Sequence, residues 1–292
     1  MTPARMTVFE DERSRLFGLA YRMLGSVADA EDVVQDAYLR WAGTDQSVVR
    51  EPAAWLTTVT TRLALDRLRR VQRERADYVG PWLPEPLLTA PEPDPGESVL
   101  LAESLTLGVL TVLERLEPVE RAVFVLREVF DEPYPSIAGI VGRSEAACRQ
   151  LVHRARERVR AERATRVVSP ARRDELVAAF ARAIAAADVD GLRQMLADDV
   201  VLISDGGADH HAARRPVVGP ERVSRFIVNI TKRLRDPIEL RLVTVNLQPG
   251  FLAVLRGRPL NLTVLELDDS GIRGIRNIVN PAKLRAVMAG LA

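Results

Sequence analysis

Six prolines fall between Tyr78 and Glu97, at positions 81, 84, 86, 91, 93 and 95 of YVGPWLPEPLLTAPEPDPGE. Each fixes its own φ and removes a backbone donor, so no continuous helix can cross this stretch. An extended, semi-rigid chain is favoured instead. The sequence therefore reads as separately folded parts on either side of a linker. The WLPEPL portion is too apolar for a pure spacer, and it is expected to pack against the C-terminal part of the chain.

Residues 9–76, before the linker, read as helical throughout. Phe9 to Leu24 carries apolar residues at helical spacing, Gly25 and Ser26 interrupt it, and Asp29 to Trp41 (DAEDVVQDAYLRW) resumes it. Ala30, Val33, Val34, Ala37 and Tyr38 are expected to face inward. Asp29, Glu31, Asp32, Gln35 and Asp36 leave an acidic surface, which is either a solvated face or a dock for a basic partner. Pro52 is well placed to start a helix. The stretch from Ala53 to Arg75 then reverses the charge, with Arg62, Arg67, Arg69, Arg70, Arg73 and Arg75 in its second half. Trp55, Leu56, Val59, Leu63 and Leu68 are expected on its buried side. Thr57, Thr58, Thr60 and Thr61 are poor helix formers, which suggests a surface selected for contacts. Arginines, hydroxyls and a tryptophan suit phosphates and exposed bases.

After the linker, helix is expected from Val99 to Leu116, and Pro118 opens the next one (VERAVFVLREVF). Asp131 to Arg166 then breaks into two helical pieces. Ile137, Ala138, Ile140 and Val141 give the first a buried side. Gly142 supplies a turn, since a residue without Cβ reaches positive φ at little steric cost. Ser144 fits the N-cap of the second piece, with Glu145 where the helix dipole favours a carboxylate. Cys148, Leu151, Val152, Ala155 and Val159 form its apolar stripe. Arg149, His153, Arg154, Arg156 and Arg160 lie mainly off it. This is the form of a helix-turn-helix that enters a DNA major groove, although such patterns are degenerate and a solvated basic helix looks similar.

Net charge is only +1, so DNA binding would have to come from local arginine clusters balanced by acidic segments. The single cysteine excludes an intrachain disulfide and a cysteine-rich zinc site. There is no apolar run of membrane-spanning length and no signal-peptide core at the N-terminus, so a soluble cytoplasmic protein is expected, with no membrane partner.

Beyond Ser169-Pro170 the character changes. Asp174 to Ala187 and Val189 to Leu196 read as helices. Val200 to Ile203, Ile238 to Leu247, Phe251 to Arg256, Leu260 to Leu267 and Ile272 to Val279 read as strands, with a helix from Pro220 to Leu234 among them. Helices followed by a curved antiparallel sheet make an α+β domain. A last short helix enters through Pro281.

Taken in order, these pieces resemble a bacterial RNA polymerase sigma factor of the extracytoplasmic-function (ECF) group. Residues 1–77, with DAEDVVQDAYLRW, resemble region 2. Residues 98–167, with SEAACRQLVHRARERVR, resemble region 4. Residues 78–97 form the linker, and 171–292 resemble a SnoaL-like domain of the NTF2-like superfold. The implied architecture is multidomain: two all-α sigma domains followed by an α+β, cone-shaped, NTF2-like domain. The resemblance implies core RNA polymerase and promoter DNA as partners. Asp29, Glu31, Asp32, Gln35 and Asp36 match the surface for the β′ clamp helices, and region 4 would meet the β flap. Trp55, Arg62, Asp66, Arg67, Arg69 and Arg70 match the −10 reader. Ser144, Arg149, His153 and Arg154 match the −35 reader. Trp82, Leu83 and Pro84 of the linker, Asp205, Gly206 and Gly207, and Asn280, Pro281, Lys283 and Leu284 match regulatory segments of a subgroup with this extension. That subgroup carries a DGGGK-like loop. Here Ala208 and Asp209 follow the two glycines, so the third glycine and the lysine are missing, and no contact through that lysine is expected.

SnoaL-like folds include enzymes with a carboxylate base in an apolar pocket. Asp205, Asp209, His210 and His211 are the only tempting cluster, as a base or as metal ligands, but a polar loop at the cone mouth is the favoured reading. Adjacent strand histidines point to opposite faces, which argues against a shared metal. No catalytic residue, metal or cofactor is therefore expected. A small ligand in the tail is left open, and a tail packed on the linker would need no separate anti-sigma factor. Two other readings are a helix-turn-helix regulator with a ligand-sensing tail and a cyclase or isomerase with a helical accessory domain. The acidic face disfavours the regulator.

Overall fold

Helices α1 (Pro3–Leu24), α2 (Val27–Gly43) and α3 (Pro52–Arg75) open the computed structural model, which describes residues 3–45, 48–75, 78–89, 104–162, 168–207, 212–233 and 238–289. The chain divides into two compact units. The first comprises Met1–Asp77, Gly96–Leu105 and Val109–Glu162, and the second Tyr78–Pro95, Thr106–Gly108 and Arg163–Ala292.

In the first unit, Gly25 takes φ 65° between α1 and α2, and the Ser26 hydroxyl accepts from the Asp29 N–H at 3.3 Å as an N-cap. Leu16, Leu19 and Tyr21 of α1 are buried against Val33, Val34 and Trp41 of α2 and against α3. Two expectations for α3 are corrected. Val59 and Leu63 are only half-buried, whereas Thr57, Thr60 and Thr61 are buried in the core. The hydroxyls of Thr57 and Thr61 donate to the Ala53 and Thr57 carbonyls, one turn back. That local bond lets a small polar residue sit inside a helical core without an unpaired donor. These threonines are packing residues, not a contact surface.

Helix α4 (Leu107–Leu113) is shorter than expected: Ser104–Thr106 form a turn, and residues 99–103 lie outside the described residues. Helices α5 (Pro118–Glu128), α6 (Tyr134–Val141) and α7 (Glu145–Glu162) follow. Gly142 ends α6 in the left-handed region at φ 66°, and the Ser144 hydroxyl accepts from the Ala147 N–H at 3.2 Å at the start of α7. Ile137, Ile140, Cys148, Val152, Ala155 and Val159 close the core between these helices and α5.

The second unit holds α8 (Pro170–Ala185), α9 (Val189–Met195), β1 (Leu196–Asp205), β2 (Val217–Val218), α10 (Pro220–Arg233), β3 (Glu239–Val245), β4 (Gln248–Leu255), β5 (Arg258–Asp268), β6 (Gly271–Ile278) and α11 (Pro281–Ala289). The sheet order is β2-β1-β6-β5-β4-β3. It is mixed, not antiparallel as expected, because β1 runs parallel to β6 with Leu202 opposite Ile275. Such a pair requires a long crossover, here the whole stretch from β2 to β5. Phe180, Leu192, Val223, Phe251, Leu265 and Ile275 form the core between the helices and the sheet. β3 turns into β4 through Asn246 and Leu247, both left-handed at φ 51° and 62°. A two-residue hairpin of this hand needs positive φ at both positions.

Candidate functional site

In the first unit the acidic face survives with one exception. Glu31, Asp32, Gln35 and Asp36 are exposed on α2. Asp29 is half-buried, and its Oδ1 accepts from Arg67 Nε at 2.9 Å and from Nη2 of the same guanidinium. The bond to Asp29 raises the Arg67 pKa, against a smaller opposing effect of burial. A residue expected to touch polymerase and one expected to touch DNA are therefore paired with each other.

The other α3 residues divide in the same way. Arg62 donates to the Gly139 carbonyl at 3.0 Å and the Ile140 carbonyl at 3.3 Å, at the C-terminal end of α6 where a helix attracts a cation. Arg69 pairs with Asp66 at 3.1 Å on the surface, and Arg70 is exposed. Trp55 is half-buried with its ring 5.4 Å from that of Trp41, so it packs the helix pair. Arg75, which the sequence groups with the basic surface, is held against Glu114 inside the unit, and burial lowers its pKa.

The exposed side of α7 carries Ser144, Arg149, His153 and Arg154 together. Arg149 pairs with Glu145 at 2.8 Å and lies 4.9 Å from the Tyr134 ring centre, but its side chain stays 56% exposed. Ser144 is engaged as a cap. Arg156 grips Glu128 through two bonds of 2.8 and 2.7 Å, and Arg158 bonds Glu120 at 2.9 Å. Those two arginines fix α7 to α5 and leave the four exposed residues in a set orientation.

Sequence reasoning missed a buried ion network. Glu114 contacts Arg75 and Arg121 at 2.5 Å each, and the Arg121 side chain is fully buried. Arg121 Nε donates to the Arg22 carbonyl at 2.9 Å, and Arg22 Nε to Ser104 Oγ at 2.7 Å. The only signal in the sequence is an arginine among apolar residues in RAVFVL.

In the second unit, the residues expected to be regulatory converge on Asp205, which is fully buried at the end of β1. Its Oδ2 accepts from the Leu83 N–H at 2.9 Å and from Lys283 Nζ at 2.6 Å. Its Oδ1 accepts from the Tyr78 hydroxyl at 2.5 Å and the Gly207 N–H at 3.2 Å. Asn280 Nδ2 donates to the Tyr78 oxygen at 3.0 Å, and Asn280 Oδ1 accepts from the Ala282 N–H as α11 begins at Pro281. Lys283 Nζ also donates to the Leu83 carbonyl and sits 4.0 Å from the Trp82 ring centre. A cation over an indole face is favourable, more so when desolvated. Leu83, Pro84 and Leu284 are buried around this clasp. Gly206 is buried beside Asp205, and Gly207 takes φ 66° with Asn280 3.1 Å from where a Cβ would lie. Lys283, not a lysine of the glycine loop, supplies the positive charge. Ala208, Asp209, His210 and His211 lie outside the described residues.

The clasp continues as strand pairing. The Leu87 carbonyl accepts from the Asn246 N–H at 2.8 Å, Asn246 Oδ1 accepts from the Leu87 N–H at 3.0 Å, and the Thr89 N–H donates to the Thr244 carbonyl at 3.1 Å. Linker residues therefore bind the backbone of the left-handed β3–β4 turn. Because Asp205 is fully committed to these partners, it is not a base facing a cavity. Among the described residues, no cluster of three or more His, Cys, Asp or Glu is placed to hold a metal.

The chain matches Sigma-70 region 2 over residues 8–74 and Sigma-70 region 4 over residues 107–159. It is 38% identical over 286 residues to the ECF RNA polymerase sigma factor SigJ of Mycobacterium tuberculosis, covering 94% of this chain and 91% of that protein. The chain belongs to the ECF RNA polymerase sigma factor family. It is also 33% identical over 283 residues to a probable ECF sigma factor, SigI, of the same organism, covering 96% of this chain and 94% of that protein. The crystal structure of M. tuberculosis SigJ superposes with a TM-score of 0.76 at 36% identity, covering 96% of this chain and 98% of that one. As an ECF sigma factor, the protein binds RNA polymerase for promoter recognition, and its helical sigma domains precede a C-terminal α+β sheet domain. No described helix is long and apolar enough to cross a membrane.

Proposed function

We propose that this ECF sigma factor reads promoters through α3 and α7 and that its C-terminal domain sets promoter output by holding the linker. Glu31, Asp32, Gln35 and Asp36 dock on the β′ clamp helices, and region 4 meets the β flap. Arg62, Arg67, Arg69 and Arg70 serve the −10 element, and Arg149, His153 and Arg154 the −35 element. In this reading Arg62 and Arg67 exchange their protein partners for DNA when the promoter is bound, and the C-terminal domain takes the place that a separate anti-sigma protein would occupy. The observation that carries the regulatory part is the buried Asp205 carboxylate accepting from the linker backbone at Leu83. A surface contact would need neither burial nor a main-chain bond.

Run-off transcription with purified core polymerase tests this. A chain ending at Val279 lacks Asn280 and Lys283, and a chain ending at Arg166 lacks the whole domain. Both are expected to change the yield from a cognate promoter by about tenfold, which corresponds to roughly 1.4 kcal/mol. Yields equal to that of the full chain would sink the regulatory reading.

The docking face makes a separate prediction. Asp32→Lys with Asp36→Lys places cations where a basic partner is expected, and like charges across an interface are strongly unfavourable. Affinity for core polymerase is expected to fall by at least about tenfold. Both positions are exposed, so the thermal unfolding midpoint should stay put. Unchanged co-elution with core polymerase would remove α2 from the interface.

A further inference from the structure

The second unit contains a cavity of about 460 Å³ between α8, α10 and the concave face of the sheet. Phe180, Phe226, Ile227, Phe251 and Ile275 supply much of its wall. The volume lies within the range of small-molecule sites, which are mostly apolar with a few placed polar groups. None of the described residues lining it is acidic, basic or histidine. The clasp does not enter it, since neither Asp205 nor Lys283 is in its wall.

Four neutral polar side chains share one side of the cavity: Ser204 on β1, Asn277 on β6, and Asn261 and Thr263 on β5. Asn261 Nδ2 donates to Asn277 Oδ1 at 2.8 Å and to Thr263 Oγ1 at 3.0 Å, and Thr263 Oγ1 donates to Asn277 Oδ1 at 3.2 Å. Asn277 Nδ2 reaches Ser204 Oγ at 3.5 Å. Two amides and two hydroxyls on an inward-facing surface are unnecessary for a core, where aliphatic side chains would pack without desolvating polar groups. Their mutual bonds hold the amides in one orientation, engaging both Asn261 Nδ2 hydrogens and both Asn277 Oδ1 lone pairs, and leave one Asn277 Nδ2 hydrogen and the Asn261 Oδ1 lone pairs for a ligand. At the other end, Ile230 and Leu240 line the cavity and are themselves exposed, giving an apolar entrance.

The geometry points to this cavity as a binding site for a neutral, mostly apolar small molecule that presents a carbonyl or hydroxyl oxygen to the remaining Asn277 Nδ2 hydrogen, in an amide that Asn261 holds in place. The apolar wall supplies the affinity and the amide pair fixes the orientation. A carboxylate or ammonium ligand would be buried with no counter-charge among the described residues of the wall, which is strongly unfavourable. The site goes beyond the promoter-binding reading and does not depend on it. Ser204 and Asn277 do adjoin the clasp in sequence, through Asp205 and through Val279 and Asn280.

Prodan, a neutral naphthyl ketone whose emission shifts to the blue in apolar surroundings, serves as the probe with the full-length chain. Saturable binding of one probe per chain with blue-shifted emission is expected. Unlabelled 2-acetonaphthone should displace it, and 2-naphthoate, with the same rings and a negative charge, should not. Asn261→Leu and, separately, Asn277→Leu are each expected to weaken Prodan binding by about tenfold, with the circular dichroism spectrum unchanged. Thr263→Val is a third variant should either lose its fold. Non-saturable binding, equal displacement by 2-naphthoate, or folded variants that bind like the parent would each overturn the assignment. The assay involves no polymerase, so its failure is distinct from failure of the transcription test.

Discussion

Asp205→Ala is expected to release the linker from the C-terminal domain and to destabilise that domain by about 3–5 kcal/mol, the usual effect of breaking a buried ion pair from one side. The substitution removes the acceptor for the Leu83 N–H, the Tyr78 hydroxyl and the Gly207 N–H. It also leaves Lys283, whose side chain is only 10% exposed, without its counter-charge. Donors that lose their acceptor and an ammonium that loses its carboxylate act in the same direction. Asp205→Asn keeps the shape and should lose less. Two measurements check this on the full chain: the urea midpoint of the C-terminal unit, and the rate of proteolysis between residues 78 and 89. A loss below about 1 kcal/mol, within the range of an exposed pair, with the linker still protected would mean that the clasp is not a determinant of linker position. Combining Asp205→Leu with Lys283→Met adds a control. Apolar replacements of similar size often restore the stability lost with a buried pair, but they cannot accept the Leu83 N–H, so stability should recover further than linker protection.

Glu114→Gln should have an effect of similar size in the first unit. Glu114 balances two guanidinium groups, and the Arg121 side chain is fully buried. Removing that negative charge leaves two guanidinium groups close together with weaker compensation from Asp29, and burial already lowers the Arg75 pKa. The expected loss is again about 3–5 kcal/mol, read from urea unfolding of the first unit. Because Arg75 lies on α3 and Arg121 on α5, the same variant should speed amide exchange where these helices meet. If Glu114→Gln unfolds the protein outright, Arg75→Met tests the same network with one fewer cation, and its expected loss is smaller. Stability equal to the parent in both variants would refute a structural role for the network.

Most of what was legible in the sequence was local. Gly142 and Ser144 announce the turn and cap because φ and hydrogen bonding there are properties of a few consecutive residues. Pro52, Pro118, Pro220 and Pro281 each begin a helix for the same reason. The sequence did not show which charges face one another. Arg67 and Arg75 lie in one basic run, yet Arg67 meets Asp29 across 38 residues and Arg75 meets Glu114 across 39. Lys283 and the Leu83 carbonyl are 200 residues apart. Thr57 and Thr61 misled because a hydroxyl paired with its own helix is as compatible with burial as an alkyl group, and composition does not distinguish the two. The parallel β1–β6 pairing escaped because strand spacing alone does not reveal a long crossover.

The clasp and its continuation along the β3–β4 turn form between segments of one polypeptide, and under the proposed regulatory role this sets how the protein would answer to its own abundance. The occupancy of an intramolecular contact does not change on dilution, so every newly made chain can engage it without an assembly step. A free inhibitor, by contrast, must be matched in number to its target. Anything that opens the clasp by binding the same groups must outcompete a tethered segment, whose effective concentration is of millimolar order for a short connection. Induced synthesis of more chains therefore raises the number of clasped molecules in proportion, and the fraction open changes only through a ligand, polymerase or DNA that favours one state.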